Sequence, residues 1–471
     1  MTAQKILIGG EWMNGAETFG VIAPYSGQRL AEVYSADEDE GLRAVAAASE
    51  AASKMRSLSR FEIAAGLQRI SDQIGARREE FAKTIALEAA KPIRLARGEV
   101  DRAAATFHWA AGESERFAGE IVPMDVQPNG RGKTAFTLRV PRGVVFGITP
   151  FNFPLNLVAH KVAPALASGN AIIIKPSPRT PLTALLLGEA FLESGLPESA
   201  LQIVPMDVKY LDAVLADERI GMLSFTGSAP IGWALKQKAG KKPIALELGG
   251  NAPVIVDATA DIENSVSRTL VGAFAYTGQV CISVQRIFVH DQLFDNWTDT
   301  FVERAKNLIT GDPLAEDTEI SAMIDEPAAK RAEQWVAEAV DHGARLMCGG
   351  KREGSVLEPT VLTNTDPEMR IVAEEAFAPV AVVERFSEFA ESIAAANNSK
   401  YGLQAGVFTN DLRNTRYAIE NLDFGGVIIN DVPTFRVDNM PYGGSKDSGF
   451  GREGVRYAME EMTELRIAVL N

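Results

Sequence analysis

Cysteine is nearly absent: two in 471 residues. That excludes the disulfide-stapled secreted folds, and a reducing compartment, the cytoplasm, is expected. Histidine is almost as scarce. His108, His160, His290 and His342 stand singly, with no HxxxH or CxxC-type spacing. No zinc site is expected, and each reads as a surface or core-edge residue. No apolar run approaches the roughly 18 residues of a membrane span, and Met1-Thr2-Ala3-Gln4-Lys5-Ile6 lacks the apolar core of a leader peptide. Positive charge is also short. The net charge is −15 without any basic stripe, so neither nucleic acid nor an anionic membrane is an expected partner. What remains, 46% hydrophobic and 23% charged residues, is ordinary globular composition. The length calls for about two or three domains.

Apolar, β-branched runs alternate with helical patterns from about residue 140 onward. Val144–Ile148, Ala171–Lys175 and Met222–Phe225 read as buried strands, with helical stretches such as Thr183–Phe191 between them. Buried strands joined by helices predict a doubly wound parallel sheet. The alternation restarts with Ala252–Val256 and Arg286–Val289, followed by helices over Phe294–Ile309 and Ala328–Val340. A second α/β domain is expected there. The first 120 residues read as a long helical region, with periodic stretches at Glu40–Met55 and Arg60–Ala86. The segment Ile121–Val140 and the tail Leu465–Leu470 fit neither domain. Both read as β-ribbon pieces, which need to pair with each other or with another subunit.

Cys281 follows Tyr276-Thr277-Gly278-Gln279-Val280, read as a small, flexible Gly-Gln turn. Glu247 precedes a Gly-Gly turn in Leu246-Glu247-Leu248-Gly249-Gly250-Asn251. A thiolate is the side-chain nucleophile available near neutral pH, and a carboxylate that activates water is what a thioester needs for hydrolysis. Phe225-Thr226-Gly227-Ser228 follows a strand and opens a helix, where Ser228 can cap and free N–H groups can face a phosphate. Its spacing departs from the usual dinucleotide fingerprint, and a plain capped turn explains it equally well. Lys175 ends a buried strand, where open sheets bind ligands, although an exposed loop lysine fits as well. Asn152, among Pro150-Phe151-Asn152-Phe153-Pro154, could donate to an oxyanion or simply shape a turn.

Taken together, these segments resemble the aldehyde dehydrogenase family over essentially the whole chain. The carriers are Pro150–Pro154, Lys175-Pro176-Ser177, Phe225–Ser228, Leu246–Gly250, Gly278–Cys281, Glu374–Val380, Pro441–Lys446 and Ser448–Glu453, in the family's order. The resemblance implies a dinucleotide-binding domain (1–120 and 142–241), a catalytic domain (242–440) and an oligomerisation ribbon (121–141 and 455–471), in a homodimer or homotetramer. It implies Cys281 as nucleophile, Asn152 as oxyanion donor and Glu247 as the base for water. NAD or NADP would lie against Thr149, Pro150, Phe151, Lys175, Ser177, Pro178, Arg179, Gly227, Ser228, Leu248, Glu375 and Phe377. Many NAD-preferring relatives carry Glu where Pro178 stands here. With Arg179 next to it, NADP is expected to be accepted as well as NAD.

The resemblance places Arg102, Arg436 and Tyr442 in the substrate channel. Two guanidinium groups suit a carboxylate, sulfonate, phosphonate or phosphate tail; the expected substrate is a short aldehyde, with or without such a tail, of the lactaldehyde, semialdehyde or phosphonate/sulfonate type. Val280 stands where phosphonate-type relatives often have Arg. The bland alternative is structural pairing, Arg102 with Glu99 or Asp101 and Arg436 with Asp438. Two rival functions are a CoA-acylating semialdehyde dehydrogenase, which usually lacks the water-activating Glu, and a noncatalytic structural relative, which would have lost Cys281, Glu247 or Asn152. Cys348 reads as a small buried apolar residue.

Overall fold

The computed structural model describes residues 3–471; Met1 and Thr2, at the start of the segment read as lacking a leader, lie outside it. The buried apolar runs become the centre of an eight-stranded sheet. Val144–Ile148 lies in the middle. The next two strands, Ala171–Lys175 and Leu201–Ile203, add to one side of it, and Ile220–Thr226 and Ile244–Glu247 to the other. These five strands are parallel. The strand order therefore reverses at Val144–Ile148, and the crevice at the carboxyl ends there is where such sheets bind ligands.

A second sheet of seven strands is centred on Ala252–Val256 and Val284–His290. Its six parallel strands carry one antiparallel edge, Arg345–Cys348, where Cys348 is buried. Only Leu248–Asn251 separates the last strand of the first parallel set from the first strand of the second. The carboxyl ends of one sheet thus face the amino ends of the other across a short seam.

Several boundaries differ from those expected. Ile244–Glu247 pairs within the first sheet, so the change of sheet follows Glu247 and not residue 241. Helix Val455–Glu461, expected within the ribbon, buries Val455 and Met459 in the first core. Arg60–Ala86 is not continuous: helices Arg60–Ala76 and Arg78–Ala89 meet at Arg77, which leaves helical geometry at φ −101° and ψ 22°. The N-terminal region also holds unexpected strands, including the hairpin Glu17–Ile22 with Arg29–Ser35.

The ribbon segments lie side by side. Thr463–Leu470 pairs antiparallel with Thr134–Pro141 over eight registered residues, and Ile121–Val122 adds a short third strand. Among the described residues no helix is long and apolar enough to cross a membrane.

Candidate active site

The turn before Cys281 is tied down. Tyr276, Thr277 and Gly278 are consecutive left-handed residues, with φ of 50°, 57° and 67°. Each non-glycine residue in that region costs about 1–3 kcal/mol and persists only where neighbours enforce it. Here Tyr276 donates to the Ala89 carbonyl (3.0 Å) and Thr277 to the Ser321 carbonyl (3.2 Å). A Cβ on Gly278 would lie 2.0 Å from the Ala378 carbonyl oxygen. The flexibility expected of this turn is therefore absent: Gln279 is fully buried, and its side chain accepts from the Ile324 amide (2.8 Å).

The result is that Cys281 is brought beside groups from both sheets. Cys281, Glu247 and Asn152 line one cavity of about 650 Å³. One N–H of the Asn152 amide binds the Gln279 carbonyl (2.9 Å), leaving the second N–H for a ligand, and Asn152 Oδ1 is buried without a partner. The loop carrying Asn152 is fixed from below. Lys91, fully buried, donates to the Asn152 main-chain carbonyl (2.7 Å) and pairs with Glu99. Glu99 in turn accepts from the Leu155 and Asn156 amides (2.9 and 3.1 Å). Lys91 Nζ also sits over the rings of Phe153 (3.6 Å) and Tyr276 (4.3 Å), so it joins the Asn152 loop to the Cys281 turn.

Electrostatics separate the two buried glutamates. Burial raises the Glu247 carboxyl well above its ordinary value, and the neighbouring Glu453 raises it further. Glu247 Oε2 has no partner. For Glu453 burial acts upward too, but Lys161 (3.5 Å) and Arg436 (3.2 Å) outweigh it and hold it as the anion. Burial likewise pushes the Cys281 thiol up to about 12, opposed by a hydrogen bond with Tyr442.

The cofactor residues divide into two groups. Pro150, Phe151, Gly227, Ser228, Leu248, Glu375 and Phe377 line the same cavity as Cys281. Ser228 is exposed at the cavity mouth and, unlike the expectation, makes no side-chain cap. Pro230 has no N–H, so the first-turn donors of helix Ala229–Lys238 open to a pyrophosphate are the Ala229 and Ile231 amides. Glu375 accepts from the Gly250 amide (2.9 Å), and burial raises its carboxyl to about 7. Phe377 packs edge-on against Phe151. The set fits a dinucleotide.

The other four residues and Thr149 lie outside that lining. The Thr149 amide is bound to the Lys175 carbonyl (3.2 Å), and Lys175 is buried, its ammonium pulled down to about 8 by burial. Ser177 Oγ accepts from the Arg179 amide. Pro178 and Arg179 line a smaller cavity of about 200 Å³, which shares Ile324 and Asp325 with the larger one. Arg179 pairs there with Asp325 (2.6 Å).

The three substrate residues cluster behind Cys281. Arg102 makes two bonds to Asp438 (3.1 and 2.7 Å), which also takes His160 (2.8 Å). Arg436 pairs with Glu453, lies 3.8 Å above the Tyr442 ring and leaves Nε buried without a partner. Both arginines are paired, but not with the partners expected: Glu99 is taken by Lys91, Asp101 by Arg78, and Asp438 by Arg102 and His160. The Tyr442 hydroxyl lies 3.1 Å from Cys281 Sγ. Lys91, Glu99 and Gln279 were not expected at the site. Glu99 had a signal, since it falls on the apolar stripe Ala96–Val100–Ala103–Phe107 of its helix.

A cysteine, a glutamate and an asparagine share one cavity between two doubly wound sheets, beside a crevice that fits a dinucleotide. The chain belongs to the aldehyde dehydrogenase family, whose model matches residues 12–468. It is 43% identical to the 3-sulfolactaldehyde dehydrogenase of Priestia aryabhattai, over 99% of this chain and 98% of that one. Among solved structures it superposes on aldehyde dehydrogenase 21 of Physcomitrella patens in complex with the reaction product succinate, with a TM-score of 0.98 and 43% identity, covering 100% and 99% of the two chains. It also superposes on a glyceraldehyde-3-phosphate dehydrogenase of Methanocaldococcus jannaschii complexed with NADP, with a TM-score of 0.93 and 39% identity, covering 97% and 99%. The chain is accordingly an aldehyde-oxidising enzyme that uses NAD(P).

Proposed function

We propose that this enzyme oxidises a short aldehyde with an anionic tail to its carboxylic acid, with water as the acyl acceptor. The observation that carries the chemistry is the presence of Cys281, Asn152 and Glu247 in one cavity. Cys281 Sγ bonds to the aldehyde carbon, and the oxygen takes the negative charge. The free Asn152 N–H and the Cys281 main-chain N–H bind that oxygen. When bound, NAD(P) supplies the acceptor for the hydride that leaves the carbon. Lys175 would meet the adenosine ribose, Gly227 and Ser228 the pyrophosphate, and Glu375 the nicotinamide ribose. Glu247 then takes a proton from water, which attacks the thioester and releases Cys281. Transfer to CoA has no need of such a base.

The anionic tail is read from the far side of Cys281. Arg436 is buried with Nε unpartnered, which an acceptor on the substrate would satisfy. Arg102 is linked to it in a chain: Arg102 binds Asp438, Asp438 binds His160, and the His160 ring lies 3.4 Å from Arg436. Sulfolactaldehyde, succinate and glyceraldehyde-3-phosphate, named for three relatives, each carry an anion, whereas lactaldehyde, named for others, does not. Initial rates with short aldehydes, neutral and anionic, and with each cofactor test this reading. Arg102→Leu should raise KM for the anionic aldehyde by about 10- to 100-fold, the worth of a hydrogen bond to a charged group, and spare the neutral one. An equal effect on both would count against it.

A further inference from the structure

We propose that Tyr442 is a catalytic residue whose hydroxyl donates a hydrogen bond to Cys281 Sγ and stabilises the thiolate that attacks. The inference rests on the reading of Cys281 as nucleophile. Burial around Cys281 works against that role, because a thiolate out of water is disfavoured. Some group must offset this within contact distance of the sulfur. The Tyr442 hydroxyl, 3.1 Å away, is the one side-chain partner of Sγ among the described residues, and Sγ is likewise its one partner.

The geometry gives that hydroxyl little freedom. Tyr442 is 3% exposed and packs with Ile282 and Leu403. Its main chain exchanges both hydrogen bonds with Glu453 (3.0 and 2.7 Å). Its ring lies beneath the Arg436 guanidinium, which Glu453 fixes in place. Burial and the neighbouring Cys281 raise the tyrosine well above its ordinary value, so the hydroxyl keeps its proton to donate. The Arg436 cation over the ring acts the other way and strengthens it as a donor. Toward a neutral thiol either group can donate, and the bond is weak. Toward a thiolate only the tyrosine can donate, and the bond becomes charge-assisted. Tyr442 therefore favours the anion over the thiol, whose proton passes to solvent. Once the carbon–sulfur bond forms, the charge moves to the carbonyl oxygen and Asn152 takes over its stabilisation.

The test compares the pH dependence of iodoacetamide alkylation of Cys281 in the wild-type enzyme and in Tyr442→Phe, which removes one oxygen. Thiolate absorbance measured by difference against Cys281→Ser gives a second reading. The expected result is an upward shift of the thiol midpoint by about one pH unit or more, with about tenfold less thiolate at neutral pH. The limiting alkylation rate at high pH should be unchanged. An unchanged or lowered midpoint would overturn the proposal. Failure of the underlying reading looks different: Cys281→Ser would then retain aldehyde oxidation.

Discussion

At the scale of single residues, the raised carboxyl of Glu247 gives the proposed mechanism its pH dependence. A base must be ionised to accept a proton from water, and burial with Glu453 nearby keeps Glu247 protonated beyond the ordinary carboxylate range. Below its raised value the protonated form dominates and deacylation stalls; above it the rate recovers. The acid limb of kcat, measured where hydrolysis is rate-limiting, should therefore fall at a pH above that of an ordinary glutamate. Glu247→Gln should lower steady-state turnover by about 10²- to 10⁴-fold, the usual worth of a general base. It should leave an initial burst of reduced cofactor, because the thioester still forms. Rapid-mixing absorbance checks this, and a lost burst would place Glu247 before hydride transfer. A second residue bears on cofactor choice. Arg179 is the cation next to the missing Glu at Pro178, but Asp325 holds it. The pair is half exposed, so it is worth about 0.2–1 kcal/mol. Asp325→Asn keeps a side chain able to cap helix Glu326–Asp341 and frees Arg179 for a 2′-phosphate. The ratio of kcat/KM for NADP over NAD should rise by about two- to fivefold, and no rise would show that Arg179 faces solvent in the complex.

Among the elements, the one that matters most is the pair of turns around Lys91. The Asn152 loop and the Cys281 turn come from different sheets, and Lys91 touches both. Removing one partner of a buried ion pair costs about 3–5 kcal/mol. Lys91→Met should therefore lower Tm sharply and reduce kcat, since the Asn152 carbonyl loses its anchor. Lys91→Met with Glu99→Gln removes the stranded charge yet keeps an oxygen for the Leu155 and Asn156 amides. Tm should recover in part while kcat stays low. Full recovery of kcat would show that Asn152 is placed without Lys91. Much of this region was legible beforehand. The strands Val144–Ile148, Ala171–Lys175 and Ala252–Val256 announced themselves as apolar runs because both of their faces are buried. Cys281, Glu247 and Asn152 stood out because their chemistry is unusual in glycine- and proline-rich turns. Lys91 did not, because a lysine near a helix start ordinarily lies in solvent and only tertiary packing buries it. The partners of Arg102 were misread for the same reason: Glu99 and Asp101 are near in sequence, whereas Asp438 arrives from the far end of the chain. The break at Arg77 was hidden because its helical periodicity continues on both sides.

For the whole molecule, the seam and the ribbon divide the work. The seam after Glu247 brings Cys281, Asn152 and Glu247 of one chain into one cavity. The ribbon asks for a second subunit. Thr463–Leu470 lies at the edge of its three-stranded sheet and keeps Leu465, Ile467 and Val469 on one face, 60%, 53% and 47% exposed. Leu138 and Ile121 add exposed apolar surface to the same sheet. An open edge with apolar side chains invites pairing, and homo-oligomers usually close such surfaces by symmetry. We take this ribbon as the oligomerisation element, in a dimer or tetramer. Ile467→Asp puts a charge at the centre of the apolar face, where an interface would have to desolvate it. Sedimentation should show the mass falling toward that of one chain, with Tm lowered as the partner's stabilisation is lost. The burst of reduced cofactor per chain should persist, because Cys281, Asn152 and the cofactor turns are all internal to the protomer. An unchanged mass would exclude the ribbon as the contact, whereas loss of the burst along with the mass would mean that the partner holds the Asn152 loop or the Cys281 turn in place.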